Sequence, residues 1–363
     1  MDKQKIIQFE QYDRKIVLED GTEFYGRGFG SSCERVCELV FNTAMLGYQE
    51  IISDPAYTYQ AVVMTYPIIG NYGTCDDDFE SKVPTIGGLV VREYNDIPSN
   101  FRTTKTLNEV MEDYNIPGIE GMDTRELTRH IRDNGTCKVF FTSIDTPKEK
   151  ALEILAATEI PTDAVKAVSC KKRWYSRTAN AKYNVVAIDC GIKLSLIRIL
   201  NSRGCNITIV PFDTSAEEVL KMKPDGIYIS YGPGKHEDVP CVIELVRQLK
   251  GKCPIFGVGL GHEIIGLAYG AKTYKLKFGH RGCNHAVHSL INNTFRNHTQ
   301  NHSYVIDADS VEGTDLKITH INLFDKTVEG VSCEKDNVYS VQYVPCEISL
   351  FYERFINLMK GDK

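Results

Sequence analysis

The 363-residue chain carries 42 lysines and arginines against 48 aspartates and glutamates, a net charge of −6, with 42% hydrophobic and 25% charged residues. An acidic balance argues against a bulk nucleic-acid binder, because phosphate contacts need a concentrated positive field. No apolar run approaches the roughly 18 to 20 residues of a membrane span, and the polar start MDKQK lacks the apolar core of a signal peptide, so a cytoplasmic two-domain protein acting on small metabolites or proteins is expected.

Val17 to Phe24 places an Asp20-Gly21 turn between short apolar segments and predicts a hairpin. Cys33 and Cys37 have the spacing to share a helix face, but their apolar neighbours point to ordinary packing. The twelve cysteines are scattered without a C-x-x-C pair, which argues against a disulfide or zinc framework. Ala61 to Met64 and Ile86 to Val91 read as buried strands, with Asn42, Gly47, Tyr48 and Tyr72 in turns and Asp76 to Asp78 in a solvated acidic loop. Leu107 to Tyr114 and Asp123 to Arg132 predict short amphipathic helices, and Cys137 to Phe141 a returning strand. This mixture gives an α+β domain over residues 1–170.

The segment KKRWYSRTANAK, residues 171–182, holds five basic residues around Trp174 and reads as a solvated linker or a subunit-contact segment. Beyond it strands and helices alternate. Strands are expected over 184–189, 206–211, 226–230 and 254–258, with helices over 194–200 and 242–249, so residues 183–363 should form a doubly wound α/β domain. In such sheets sites lie beyond the carboxyl ends of the strands, where the loops at Tyr231-Gly232-Pro233-Gly234 and at Gly257-Val258-Gly259-Leu260-Gly261 both fall. The second loop has the strand, sharp turn, helix pattern of a nucleophile elbow, yet its central residue, Gly259, has no side chain. A dinucleotide loop is the other reading of these glycines, but the G-x-G-x-x-G spacing fails at His262.

The runs LEDGTEF, FNTAMLGYQEIISDPAY, YPIIGNYG, VVRE, PSNFR and IPGIEGMDTRELTRHIR resemble the carbamoyl-phosphate synthetase small subunit. YGPG, FGVGLGH, GAKTYKLKFGHRG and QNHSY continue the resemblance, in the pattern of a class I glutamine amidotransferase domain, so that it spans essentially the whole chain in order. The resemblance implies an N-terminal small-subunit domain and a C-terminal domain that hydrolyses glutamine with a cysteine, a histidine and a glutamate. The ammonia would pass to a large subunit that carries ATP and Mg and makes carbamoyl phosphate for arginine and pyrimidine biosynthesis. No cofactor and no metal are expected on this chain.

Carried over by motif, the cysteine position falls on Gly259, the histidine on Val344 and the glutamate on Cys346. The glutamine pocket would be lined by Ala44, Gly232, Gly234, Leu260, Glu263, Asn301, Ser303 and Tyr304. Of these, Ala44, Glu263 and Ser303 depart from the family pattern, as do Tyr231 and Lys235 beside the first glycine loop. Because triad members act as a unit, the expectation is a pseudo-glutaminase that leaves its partner dependent on free ammonia. The alternative is a regulatory or ligand-binding module that has left carbamoyl phosphate synthesis. His280, Cys283, His285 and His288 have metal-ligand types within nine residues, but the G-H-R-G-x-N-H frame resembles that of the family, which holds no metal there.

Overall fold

A computed structural model describes residues 12–346 and 349–360, in two compact units divided between Pro161 and Thr162. In the first unit seven strands close a barrel. Their order is Arg14–Leu18, Glu23–Gly30, Pro117–Glu120, Gly88–Val90, Gln60–Met64, Arg35–Asn42 and Cys137–Ser143, the last pairing again with the first. The predicted hairpin forms at Asp20-Gly21, with Val17 opposite Glu23 and the Asp20 carboxylate accepting from the Thr22 N–H at 2.8 Å.

Ile16 to Leu18, Ala61 to Met64 and Leu89 to Val90 read as continuous apolar runs because both of their faces are covered. Val40, Val62 and Leu89 pack with Leu107, Val110 and Met111 of the helix Leu107–Asp113, whereas Val17 and Phe140 pack with Ala151 and Leu155 of Lys148–Ala157. The first of these helices starts at a capping box, Thr106 with Glu109, and Thr124–Asn134 is capped by Asp123 at 2.9 Å. Three local expectations are corrected. Cys37 lies on the strand Arg35–Asn42, so no helix face joins it to Cys33. Asn42 ends that same strand, and Tyr48 begins the short helix Tyr48–Ile52.

The second unit contains a ten-stranded sheet. Parallel pairing joins Cys205–Pro211, Tyr183–Asp189, Gly226–Ile229, Ile255–Val258 and Val338–Val341 in that order. Antiparallel pairing extends it through Val328–Cys333, Lys317–Asn322, Thr273–Ser289 and Thr294–Ile306. Tyr183–Asp189 leads outward to one neighbour and then to the other, which places the topological switch between its end and that of Gly226–Ile229.

The basic segment 171–182 is not a free linker. Its residues Trp174–Ser176 form the edge strand of this sheet, antiparallel to Cys205–Pro211, with Arg173 and Arg177 flanking the Tyr175 ring at 5.7 and 5.6 Å. Positive charge on an exposed edge discourages pairing with another chain, which accounts for the composition that reads as a connector. Val165, N-terminal to this segment, already packs into the second unit's core, so the boundary lies earlier than residue 170. Among the described residues no helix is long and apolar enough to cross a membrane.

Candidate functional site

The strand Ile255–Val258 runs into the helix Leu260–Ala268 through Gly259, whose φ of 57° and ψ of −116° form a sharp turn. Its N–H donates to the Val341 carbonyl at 2.9 Å, and its own carbonyl accepts from His262 and Glu263 N–H groups at 2.9 and 3.2 Å, starting the helix. A Cβ built on Gly259 would lie 2.3 Å from Tyr231 Cδ2 and 2.8 Å from Cε2. The turn's apex is therefore filled by a neighbouring ring. Gly261 is required by close packing instead, since a Cβ there would meet the Ile229 carbonyl oxygen at 2.3 Å. The glycines thus bring helix against sheet.

Tyr231 follows the strand Gly226–Ile229 and is 1% exposed. Its hydroxyl donates to the Asn301 carbonyl at 2.9 Å, and the Lys193 ammonium lies 5.7 Å from its ring centroid. Ring, hydroxyl and cation fix one orientation at the head of the turn.

Behind the turn, Glu263 and His262 are buried on the helix. Gln342 donates to Glu263 Oε1 at 3.0 Å, and His236 Nδ1 stands 3.5 Å from Oε2. Burial raises the Glu263 carboxyl above its ordinary value, opposed by His236 and Gln342. His236 Nε2 is 2.7 Å from Thr273 Oγ1, and its ring meets Tyr304 edge-on at 5.4 Å. His262 is completely buried with Nδ1 2.9 Å from Ser340 Oγ, and burial lowers it to about 3. A base that weak has little driving force for proton abstraction at neutral pH.

Residues 16–141 match the family described as carbamoyl-phosphate synthase small chain, CPSase domain, and residues 186–349 match glutamine amidotransferase class-I. A carbamoyl phosphate synthase small chain from Staphylococcus epidermidis is 46% identical over 96% of this chain and 97% of its own length. Those of Fusobacterium nucleatum, at 47% identity over 92% and 93%, and of Listeria monocytogenes, at 46% over 96% and 97%, are similar to the same extent. The chain belongs to the carbamoyl-phosphate synthase small chain family.

Within this family member the structure brings some of the expected site residues together and not others. Gly259, Tyr231 and Asn301 meet at the turn, and Glu263 and Tyr304 meet through His236. Leu260 is buried in the core of the second unit, and Ser303 Oγ accepts from the Arg281 guanidinium at 2.5 Å. Gly232 and Gly234 lie in the loop after Tyr231, with Lys235 exposed beyond them. Val344 bridges Thr299, donating its N–H at 2.9 Å. Cys346 is exposed and lines a cavity of about 150 Å³ with His298, His320 and Arg354, a lining that includes neither Gly259 nor Tyr231. Ala44 belongs to the first unit, packed with Tyr48 and Ile52.

Sequence reasoning missed Lys193 and His236. Lys193 lies just beyond the carboxyl end of Tyr183–Asp189, at the switch point, and the strand-end rule could have found it. His236 carries no spacing signal, because its partners Glu263 and Thr273 come from separate elements.

Proposed function

We propose that this chain is a carbamoyl phosphate synthase small subunit whose amidotransferase unit does not hydrolyse glutamine. It associates with a large subunit, and that partner, carrying ATP and Mg, makes carbamoyl phosphate from free ammonia for arginine or pyrimidine synthesis. Amide hydrolysis by the family route needs a nucleophilic thiolate at the elbow, a histidine to activate it and a carboxylate to orient that histidine. The motif positions for these roles hold Gly259, Val344 and Cys346.

The observation that carries the reading is the Tyr231 ring, 2.3 Å from where an elbow side chain would begin. A substrate carbonyl approaching the elbow needs that same space. The nearest histidine on the elbow helix, His262, turns its Nδ1 to Ser340 and is held neutral by burial. The loss therefore rests on an occupied position as well as on missing functional groups.

The test is carbamoyl phosphate formation by the chain reconstituted with its large subunit, fed glutamine or ammonium. Ammonium-dependent synthesis without glutamine-dependent synthesis is expected. Glutamine-supported turnover comparable to that with ammonium would overturn the proposal.

A further inference from the structure

His280, His302 and Glu329 come from three different strands, Thr273–Ser289, Thr294–Ile306 and Val328–Cys333, and all three are buried. One ligating atom of each lies within 4.8 Å of the other two, and His280 Nδ1 is 3.8 Å from Glu329 Oε1. Both imidazoles are oriented from behind. His280 Nε2 stands 2.8 Å from the Asp325 carboxylate, so that nitrogen carries the proton and Nδ1 faces the cluster. His302 Nδ1 lies 2.9 Å from the Tyr304 carbonyl, which can only accept, so its Nε2 bears the lone pair. Neither His280 Nδ1 nor His302 Nε2 has a hydrogen-bond partner, and both atoms are buried. Two inward lone pairs without donors leave buried polar atoms unsatisfied, which costs stability unless something fills the space between them.

Glu329 is 0% exposed and is held in turn, with Oε1 accepting from Asn322 at 2.9 Å and Oε2 from Gln300 at 2.7 Å. A histidine whose outer nitrogen donates to a carboxylate or a backbone carbonyl is the arrangement found behind metal-ligating imidazoles. Two imidazole nitrogens and one carboxylate form a donor set that suits a borderline divalent ion.

We propose that His280, His302 and Glu329 bind a zinc-class divalent transition ion, with water in the fourth position. Bonds of about 2.0 to 2.2 Å put tetrahedral ligand atoms about 3.3 Å apart, so the ligand atoms close by about 0.5 to 1.5 Å around the ion. The ion ties three strands of the antiparallel half of the sheet together, and its role is structural. This group shares His280 with the one that spacing along the chain suggests, but takes its other two ligands from separate strands. Cys283 is exposed, and His288 is engaged with Asn293 at 2.8 Å.

The full chain, freed of metal by chelator dialysis, is titrated with zinc chloride, desalted and measured by inductively coupled plasma mass spectrometry. One zinc per chain and a melting temperature that rises with zinc are expected. His302→Gln and Glu329→Gln, checked for folding by circular dichroism, should lose both, while the surface variants Cys283→Ser and His288→Ala keep them. X-ray absorption at the zinc edge of the wild-type chain gives a reading that needs no variant, with nitrogen and oxygen neighbours and no sulfur expected. Stoichiometry near zero in the folded wild type, sulfur in the coordination shell, or loss of zinc in Cys283→Ser or His288→Ala would each overturn the proposal.

Discussion

Tyr231 Cδ2 stands 2.3 Å from the point where a Cβ on Gly259 would lie, closer than two such carbons can approach. Restoring a thiol by Gly259→Cys must therefore displace a buried ring and place a non-glycine residue at φ 57°. Overpacking costs about 1–3 kcal/mol and a strained backbone a similar amount. Gly259→Cys alone should lower the denaturation midpoint accordingly. Gly259→Cys with Tyr231→Ala should show favourable coupling in a double-mutant cycle, because removing the ring relieves the clash. Additive effects of the two substitutions would disprove the steric relationship.

Glu263→Gln addresses the carboxyl behind the turn. Glutamine keeps an acceptor for Gln342, which now donates at 3.0 Å, and removes a charge from a fully buried site. Burial raises the folded-state value of Glu263, so the folded chain holds this proton more tightly than the unfolded chain does. Its contribution is most favourable at low pH and is lost as pH rises through the folded-state value. The variant should therefore melt above the wild type at pH 8, with the gap narrowing toward pH 5. A variant that melts lower at pH 8 would mean that the ionised carboxylate beside His236 is favourable.

Much of this architecture is legible in the sequence. Apolar strands, the short helices beginning near Leu107 and at Asp123 and the alternation after Tyr183 each rest on local residue patterns, and each forms as expected. Closure of the barrel was not legible, because it depends on Arg14–Leu18 pairing with Cys137–Ser143 more than a hundred residues away. The long hairpin Thr273–Ser289 with Thr294–Ile306 was hidden by polar residues and by register shifts that break the two-residue period. At the site, the absence of a side chain at Gly259 could be read directly. That the Tyr231 ring fills the space could not, since it depends on where two loops from different strands meet.

Tyr48 and Tyr72 hold the loop around Gly47 in the first unit, with rings stacked at 4.1 Å between centroids. The Tyr72 hydroxyl accepts from the Gly47 and Tyr48 N–H groups at 2.9 and 3.0 Å, and the Tyr48 hydroxyl donates to Gly73 at 2.7 Å. Burial pushes the Tyr72 hydroxyl up to about 12, so it stays protonated in any ordinary buffer. Tyr72→Phe keeps the stack but strips two backbone donors of their acceptor, at a cost of about 1–3 kcal/mol. Urea unfolding should show that loss with an unchanged m-value. A loss below about 0.5 kcal/mol would show that water replaces the hydroxyl.

Acid sensitivity follows from the histidines of the second unit. Burial is the first cause in every case, lowering His262 to about 3, His285, His298 and His320 to about 4, and His302 well below its ordinary value. In the unfolded chain these groups return toward 6.5. Between about pH 4 and 6.5 the unfolded state binds more protons, so stability falls as pH falls through that window. Glu329, raised to about 7, and Glu263, also raised, act in the opposite sense, because their folded forms hold protons that the unfolded chain releases. Five histidines against two carboxylates leave a net uptake of protons on unfolding in this window. Urea midpoints of the metal-free chain, measured from pH 7.5 down to 5, should therefore drop steeply below about pH 6.5, before ordinary carboxylates begin to titrate. A flat midpoint across that range would mean that these imidazoles are already protonated in the folded chain, or that they are exposed.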